Sequence, residues 1–168
     1  MPYCAPRKLL RSDVTEGFDS GAAELDSWLD EYAYVNQRAN NAVTYVSTDG
    51  DRVVGYYSIV VAAVELAQVP ERLTKGGRPA ELPCILLARL AVHRSTHGHG
   101  LGAGLLQDAL KRAAVISESI GAAALLIHAR DDGAREFYLH NGNFLSSPTD
   151  PMHLFLPMKD IRKVFLPG

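Results

Sequence analysis

The chain has 168 residues and a mass of 18.3 kDa, with 47% hydrophobic and 21% charged residues. This length suits one domain that buries a core without staples, and the composition excludes a disordered tail, a collagen-like fibre and a coiled coil. The 17 basic and 19 acidic side chains give a formal net charge of -2, which averaged over the chain is not a nucleic-acid-binding composition.

The distribution of charge says more than its sum. Residues 1–84 carry 8 basic and 12 acidic side chains, whereas residues 85–168 carry 9 basic and 7 acidic ones. The stretch 68–112 holds Arg72, Lys75, Arg78, Arg89, Arg94, Lys111 and Arg112 against Glu71, Glu81 and Asp108, a local net of +4. Such a surface attracts polyanions even on a slightly acidic protein, though a solvated mixed face explains it equally well. The two cysteines, Cys4 and Cys84, form neither a disulfide framework nor a zinc pattern, and Cys84 reads as a small buried hydrophobe. No apolar run approaches a membrane span. The N-terminal Met-Pro-Tyr-Cys has no apolar core segment of a signal peptide, so the expectation is a cytoplasmic protein with no membrane association.

In chain order, residues 7–11 read as a short strand. Phe18-Asp19-Ser20-Gly21 reads as a helix start with Ser20 as N-cap. Leu25, Trp28, Leu29, Tyr32 and Val35 then follow at helical spacing, and the helix fades at Asn40-Asn41. Residues 42–47 and 53–64 are β-branched runs joined by Thr48-Asp49-Gly50-Asp51, a hairpin signal. Residues 68–82 form a polar loop, and 84–92 a buried strand. Residues 100–119 form an amphipathic helix, 122–129 a strand, 132–140 a short helix and 153–156 a last strand. The order is βαββ–βαβαβ, a mixed α/β (α+β) class with helices on both faces of a mixed central sheet, in one domain over 1–168.

The most informative segment is the buried strand ending Leu90-Ala91-Val92, the polar turn His93-Arg94-Ser95-Thr96-His97-Gly98-His99-Gly100, and the helix opening Leu101-Gly102-Ala103. Closely spaced glycines let backbone approach a ligand, and a helix N-terminus presents N–H donors with partial positive charge, so together they make a phosphate site. The bland alternative is a tight strand-to-helix turn with no ligand. A P-loop is excluded, because Leu105 and Leu106 stand where Lys and Ser or Thr are needed. Gly98-x-Gly100-x-x-Ala103 matches a dinucleotide fingerprint, but that fingerprint follows the first strand of its domain and too little chain remains here.

At this turn the chain resembles the GCN5-related N-acetyltransferases. Their Gln/Arg-x-x-Gly-x-Gly/Ala pattern falls on His97-Gly98-His99-Gly100-Leu101-Gly102, with His97 departing from the usual Gln or Arg. The resemblance implies that Leu90, Ala91, Val92, His97, Gly98, His99, Gly100, Leu101, Gly102 and Ala103 hold acetyl-CoA as co-substrate. A narrower resemblance is to the acetyltransferase toxins of type II toxin–antitoxin modules. It is carried by Phe18-Asp19-Ser20-Gly21, Leu25-Asp26-Ser27-Trp28-Leu29, Val53-Val54-Gly55-Tyr56-Tyr57, Leu87-Ala88-Arg89-Leu90-Ala91-Val92, Ala134-Arg135-Glu136-Phe137-Tyr138 and Phe155-Leu156-Pro157-Met158. It implies acetyl transfer to the α-amino group of an aminoacyl-tRNA, a translation block, a ribbon-helix-helix antitoxin and a homodimer. One residue intrudes in the usual Phe-Tyr-x-x-x-Gly-Phe, which here reads Phe137-Tyr138-Leu139-His140-Asn141-Gly142-Asn143-Phe144.

The resemblance makes Tyr138 the general acid that protonates the departing thiolate; without it, Tyr138 reads as a packing aromatic. It also places a backbone N–H near Leu90 or Val92 at the developing oxyanion. No acidic residue stands within 86–92 to act as base, but a free α-amino group with a pKa of about 7.7–8.0 is partly neutral near pH 7. Arg72, Lys75, Arg78, Arg89 and Arg94 are candidates for tRNA phosphates, with a solvated basic surface as the alternative for each. His93, His97 and His99 lack the ligand set of a zinc site, so no metal is expected. Two other readings stand beside the toxin: an N-acetyltransferase of a small amine or protein N-terminus, and a non-catalytic acyl-CoA-binding regulator, against which Tyr138 argues.

Overall fold

The computed structural model describes residues 3–166. Met1 and Pro2, part of the segment read above as no signal peptide, lie outside them. In chain order the elements are β1 (Arg7–Lys8), α1 (Ala23–Ser27), a π-helical turn (Trp28–Tyr32), α2 (Ala33–Arg38), β2 (Val43–Asp49), β3 (Arg52–Glu65), 3-10 turns at Leu66–Gln68 and Glu71–Leu73, β4 (Glu81–Val92), a 3-10 turn (Arg94–Thr96), α3 (Leu101–Ile116), β5 (Ala124–His128), α4 (Asp132–Asn141), β6 (Leu145–Ser146), β7 (His153–Pro157) and α5 (Met158–Phe165). Among the described residues seven strands form one sheet in the hydrogen-bonded order β1-β2-β3-β4-β5-β7-β6. The expected mixed α/β class and βαββ–βαβαβ order are the observed ones, with β6 and α5 added.

Two compact units make up the chain. The first is Met1–Val60 with Ala88–Ala109. Its hairpin pairs β2 and β3 antiparallel, Tyr45 opposite Tyr57, because their β-branched and aromatic residues suit a pleated surface and Gly50 takes the positive φ (+65°) that the tight turn requires. Its core gathers Leu9, Phe18, Leu29, Val46, Val53, Tyr56 and Ala91. Gln37 ties the end of the first helical segment to the sheet: its amide donates to the Leu9 carbonyl at 3.0 Å and accepts from the Thr44 N–H at 3.0 Å. Gly55 on β3 lies under the start of α3. A Cβ there would stand 2.9 Å from Leu105 Cδ1 and 3.1 Å from Leu101 Cδ2.

The second unit is Val61–Leu87 with Leu110–Gly168. Here β4 and β5 pair in parallel from Cys84 opposite Ala124 to Leu87 opposite Ile127. β5 and β7 pair antiparallel, Ala124 opposite Pro157 to His128 opposite His153. Val64, Val69, Leu73, Leu82, Cys84, Ala124, Leu126 and Phe155 form the core. Cys84 is buried as expected, which pushes its thiol pKa up to about 11. The last helix, α5, buries Met158 and Ile161, and Arg162 on it donates to the Ser117 hydroxyl and carbonyl at 2.9 and 2.6 Å.

Several boundaries differ from the sequence reading. The opening strand shortens to two residues, because Asp13 draws in Arg7 through two hydrogen bonds and the Leu10 N–H through a third, turning the chain. Ser20 is not an N-cap: α1 starts at Ala23, and the Ser20 hydroxyl donates to Asp26 at 2.6 Å while accepting from the Ala22 N–H. β4 begins at Glu81, inside the expected loop, which also holds the 3-10 turn Glu71–Leu73 and starts at the end of another, Leu66–Gln68.

Gly55→Val tests the seat of α3. Overpacking against the buried Leu101 and Leu105 should cost about 1–3 kcal/mol, read as a lower urea midpoint, and Gly55→Ala should cost less. A valine variant with the wild-type midpoint would show that the helix is not seated on this glycine.

Candidate active site

The strand-to-helix turn is built as its glycines dictate. Gly98 and Gly100 have φ of +82° and +76°, in the left-handed region that other residues enter at a cost. Nothing lies within 4 Å of a Cβ built on either, so the requirement is conformational and the space beside the turn is open. The turn is fixed from below. The His93 N–H donates to the Val54 carbonyl at 2.8 Å, the Ser95 N–H donates to His93 Nδ1 at 3.1 Å, and the buried Thr96 hydroxyl donates to the His93 carbonyl at 2.7 Å. His97, where the resemblance expects Gln or Arg, turns back and donates from Nε2 to the Val92 carbonyl at 3.1 Å. His99 is exposed. The Gly100 carbonyl accepts from the Gly104 N–H at 3.0 Å, so α3 begins here. The N–H groups of Leu101, Gly102 and Ala103 fall in its first turn, where no carbonyl lies one turn back to receive them.

Just before the turn, β4 runs beyond its partner. The β4–β5 ladder ends at Leu87 opposite Ile127, so on the β5 side Ala88–Val92 continue without a ladder partner among the described residues. Leu90 and Val92 are half-buried and Ala91 is in the core. Unpaired strand backbone with anion-binding donors at its end suits an extended ligand that carries phosphate.

Two arginines flank this strand and turn. Arg89 is half-buried with its guanidinium 3.9 Å above the Trp28 ring, and burial lowers its pKa. Trp28 in turn stacks on Tyr56, whose hydroxyl donates to the Leu25 carbonyl at 2.8 Å. Arg94 donates from Nε to Asp19 Oδ1 at 2.9 Å and from its backbone N–H to the Asp19 carbonyl at 2.8 Å. The Arg94 hydrogen bond holds the Asp19 carboxyl below the usual carboxylate range. Phe18–Gly21 is therefore a strap clipped to the turn, a role that its reading as a helix start missed. Asp19 and Gly55 stand in segments that carry the family resemblance, but their structural roles gave no signal in a single sequence, since their partners lie 75 residues away at Arg94 and some 50 away in α3.

Tyr138 sits on α4 in the second unit, buried between Phe137 and Phe144 with ring centroids 5.3 and 6.3 Å away. The Asp131 carboxylate caps α4 by accepting from the Ala134 N–H at 2.8 Å. Burial raises the Tyr138 hydroxyl well above the ordinary phenol pKa, so it stays protonated through the neutral range. The extra residue after the helix is absorbed by extended backbone: Gly142 has φ -173°, and Phe144 Cε2 would stand 2.7 Å from a Cβ there. Phe144 thus returns to the Tyr138 ring.

The candidate basic residues separate into two groups. Arg89 and Arg94 belong to the first unit, and Arg72, Lys75 and Arg78 line a groove in the second. Among the described residues no group of three or more His, Cys, Asp or Glu side chains is placed to hold a metal ion. No helix is long and apolar enough to cross a membrane among the described residues.

Comparison with known proteins adds to this geometry. The profile of the acetyltransferase (GNAT) domain matches residues 40–142. A tRNA-acetylating toxin of Mycobacterium tuberculosis (strain ATCC 25618 / H37Rv) is 42% identical over 160 residues, which are 95% of this chain and 95% of that protein. Among solved structures, AtaT complexed with acetyl-methionyl-tRNAfMet is similar with a TM-score of 0.87 and 26% identity, over 97% of this chain and 99% of that one. AtaTR bound with AcCoA is similar with a TM-score of 0.82 and 27% identity, over 97% and 98% of the two chains.

Gly100 separates shape from charge in this turn. Gly100→Asn keeps a residue that tolerates positive φ, whereas Gly100→Asp adds a carboxylate at a phosphate site. Calorimetry should show at least a tenfold loss of coenzyme A affinity for the aspartate beyond that of the asparagine. Equal affinities in the two folded variants would remove the phosphate from this turn.

Proposed function

This chain belongs to the acetyltransferase (GNAT) family, and we propose that it is a toxin that transfers acetyl from acetyl-CoA to the α-amino group of an aminoacyl-tRNA and so blocks translation. One observation carries the reading: the likeness to the tRNA-acetylating toxin runs over nearly the whole of both chains. The geometry supports it. The turn suits the pyrophosphate of coenzyme A, because left-handed Gly98 and Gly100 leave open space beside them and lead into the first N–H groups of α3. Bound acetyl-CoA supplies the acetyl thioester. We assign His97–Ala103 to the pyrophosphate and Leu90–Val92 to the strand backbone along which the pantetheine arm lies, with an N–H near Leu90 or Val92 facing the developing oxyanion.

Tyr138 is the proposed general acid. Its burial keeps the hydroxyl protonated through the neutral range. The Phe137 and Phe144 rings fix the orientation of its own ring, and the Asp131 cap fixes the helix that carries it. The substrate amine needs no strong base, since a free α-amino group already loses part of its proton near pH 7. The two compact units together form a single acetyltransferase domain, a reading supported by a family match that spans parts of both. A second copy of the chain and a ribbon-helix-helix antitoxin are the proposed protein partners, and the cytoplasm is the proposed compartment.

Tyr138→Phe removes the hydroxyl and keeps the ring, so stability and acetyl-CoA affinity should change little while single-turnover transfer falls roughly 10²–10⁴-fold. The raised folded pKa fixes the sign of the pH effect: the acid is lost only as pH rises past that value. Wild-type transfer should therefore show no loss of the Tyr138 proton near pH 10, the ordinary phenol value. Transfer by the phenylalanine variant within a few fold of wild type would give the proton to another group.

A further inference from the structure

The second unit carries a groove that acetyl transfer, as described above, does not use. Its volume is about 920 Å³, within the range of sites that take ligands of nucleotide size. Six cations line it: Arg72, Lys75 and Arg78 from the segment before β4, and Lys159, Arg162 and Lys163 from α5. No Asp or Glu is among the lining residues. On α5 the three cations fall at i, i+3 and i+4, one face of the helix, while Met158 and Ile161 are buried.

The charges are held in different ways. Arg162 is fixed by its two hydrogen bonds to Ser117, and Arg78 by one from Nε to the Leu73 carbonyl at 3.1 Å. Arg72 is partly neutralised by Asp160 at 2.7 Å. Lys75, Lys159 and Lys163 have no carboxylate partner among the described residues. A chain of net charge -2 thus concentrates uncompensated positive charge along two rails of one groove, against the mutual repulsion of those charges.

We propose that this groove binds the sugar-phosphate backbone of tRNA, with α5 as one of its two rails; the proposal rests on the acceptor assigned under the proposed function. The lysines and Arg162 are exposed, so no buried cation builds a pocket for a single small anion. Long, mobile stems on both sides suit a row of phosphates and give contacts that position rather than read sequence. A peptide that binds by adding a strand would need an open sheet edge, but β5, which follows Ala122 and Ala123 in the groove lining, has β4 on one side and β7 on the other. A second copy docking about a two-fold axis would set the same six cations against one another.

The test uses the full chain and deacylated tRNA, with anisotropy read across salt concentration. Lys159→Glu with Lys163→Glu reverses the charge of one rail, Lys75→Glu weakens the other, and Lys111→Glu, exposed on α3 outside the groove, is the control that matches Lys75→Glu in charge. Melting checks the fold, and glutamine replaces glutamate in any variant that does not fold. The double variant should weaken tRNA at least tenfold and flatten the log–log salt slope by about two units, Lys75→Glu by about one, and Lys111→Glu by neither measure. In the transfer reaction the groove variants should raise KM for aminoacyl-tRNA and leave KM for an aminoacylated CCA trinucleotide unchanged. Wild-type affinity and slope in both groove variants overturn the proposal. So does an equal loss in Lys111→Glu, and so does tRNA binding that persists while polyglutamate binding is lost, which would make the occupant an acidic peptide. If wild type acetylates neither substrate but the groove variants still lose tRNA, the acceptor assignment fails and the groove stands.

Discussion

The chain must leave β4 and enter α3 across a few residues, and it does so only through left-handed backbone at Gly98 and Gly100. That reversal decides where the N–H groups of the first turn of α3 point, and so where the proposed coenzyme A pyrophosphate would be held. Other features serve to hold the reversal still. Gly55 lets β3 come close under Leu101 and Leu105. The His93 N–H on the Val54 carbonyl and the His97 ring on the Val92 carbonyl tie the turn to β3 and β4, the Thr96 hydroxyl closes it on the His93 carbonyl, and the Asp19 strap grips Arg94. A turn with so many local ties offers its donors already placed, which reduces the ordering cost of binding.

Cations in this protein do two kinds of work. Arg89 spends its charge on the Trp28 face and Arg94 on Asp19, both inside the first unit. Their neighbours are aromatic or acidic, and their geometry is set by those neighbours. The cations of the second-unit groove have few such partners, and three lysines have none that is acidic among the described residues. Charge committed to a neighbour shapes the fold; charge left uncommitted is available to an outside polyanion. The local net of +4 between residues 68 and 112 mixes the two kinds, which is why it says little until the partners are known.

Tyr138 depends on its apolar surroundings in the same way. Phe137 comes from the adjacent position on α4, but Phe144 arrives only because Gly142 leaves room for its ring and the chain is extended there. The extra residue in the Phe-Tyr to Phe spacing therefore changes the path of the loop and not the packing of the ring. The same burial that fixes the ring raises the hydroxyl pKa.

The hairpin at Gly50, the amphipathic α3, the order of strands and helices and the glycine turn were legible in the sequence, because each is written in neighbouring residues: alternation, helical spacing and residues suited to positive φ. The family pattern at His97–Gly102 and the Phe137-Tyr138 pair were legible for the same reason. Tertiary structure alone decided the rest. α5 is an eight-residue helix too short to hold itself; it forms because Met158 and Ile161 find a core and Arg162 finds Ser117. Ser20 looks like a cap, yet it serves Asp26, since the chain enters the helix two residues later. Asp19, Trp28 and Gly55 take their roles from Arg94, Arg89 and Leu105, residues distant in sequence. Local conformation follows from bonded neighbours and their period, whereas a contact between distant residues exists only once the backbone has closed, and no single sequence records which of them meet.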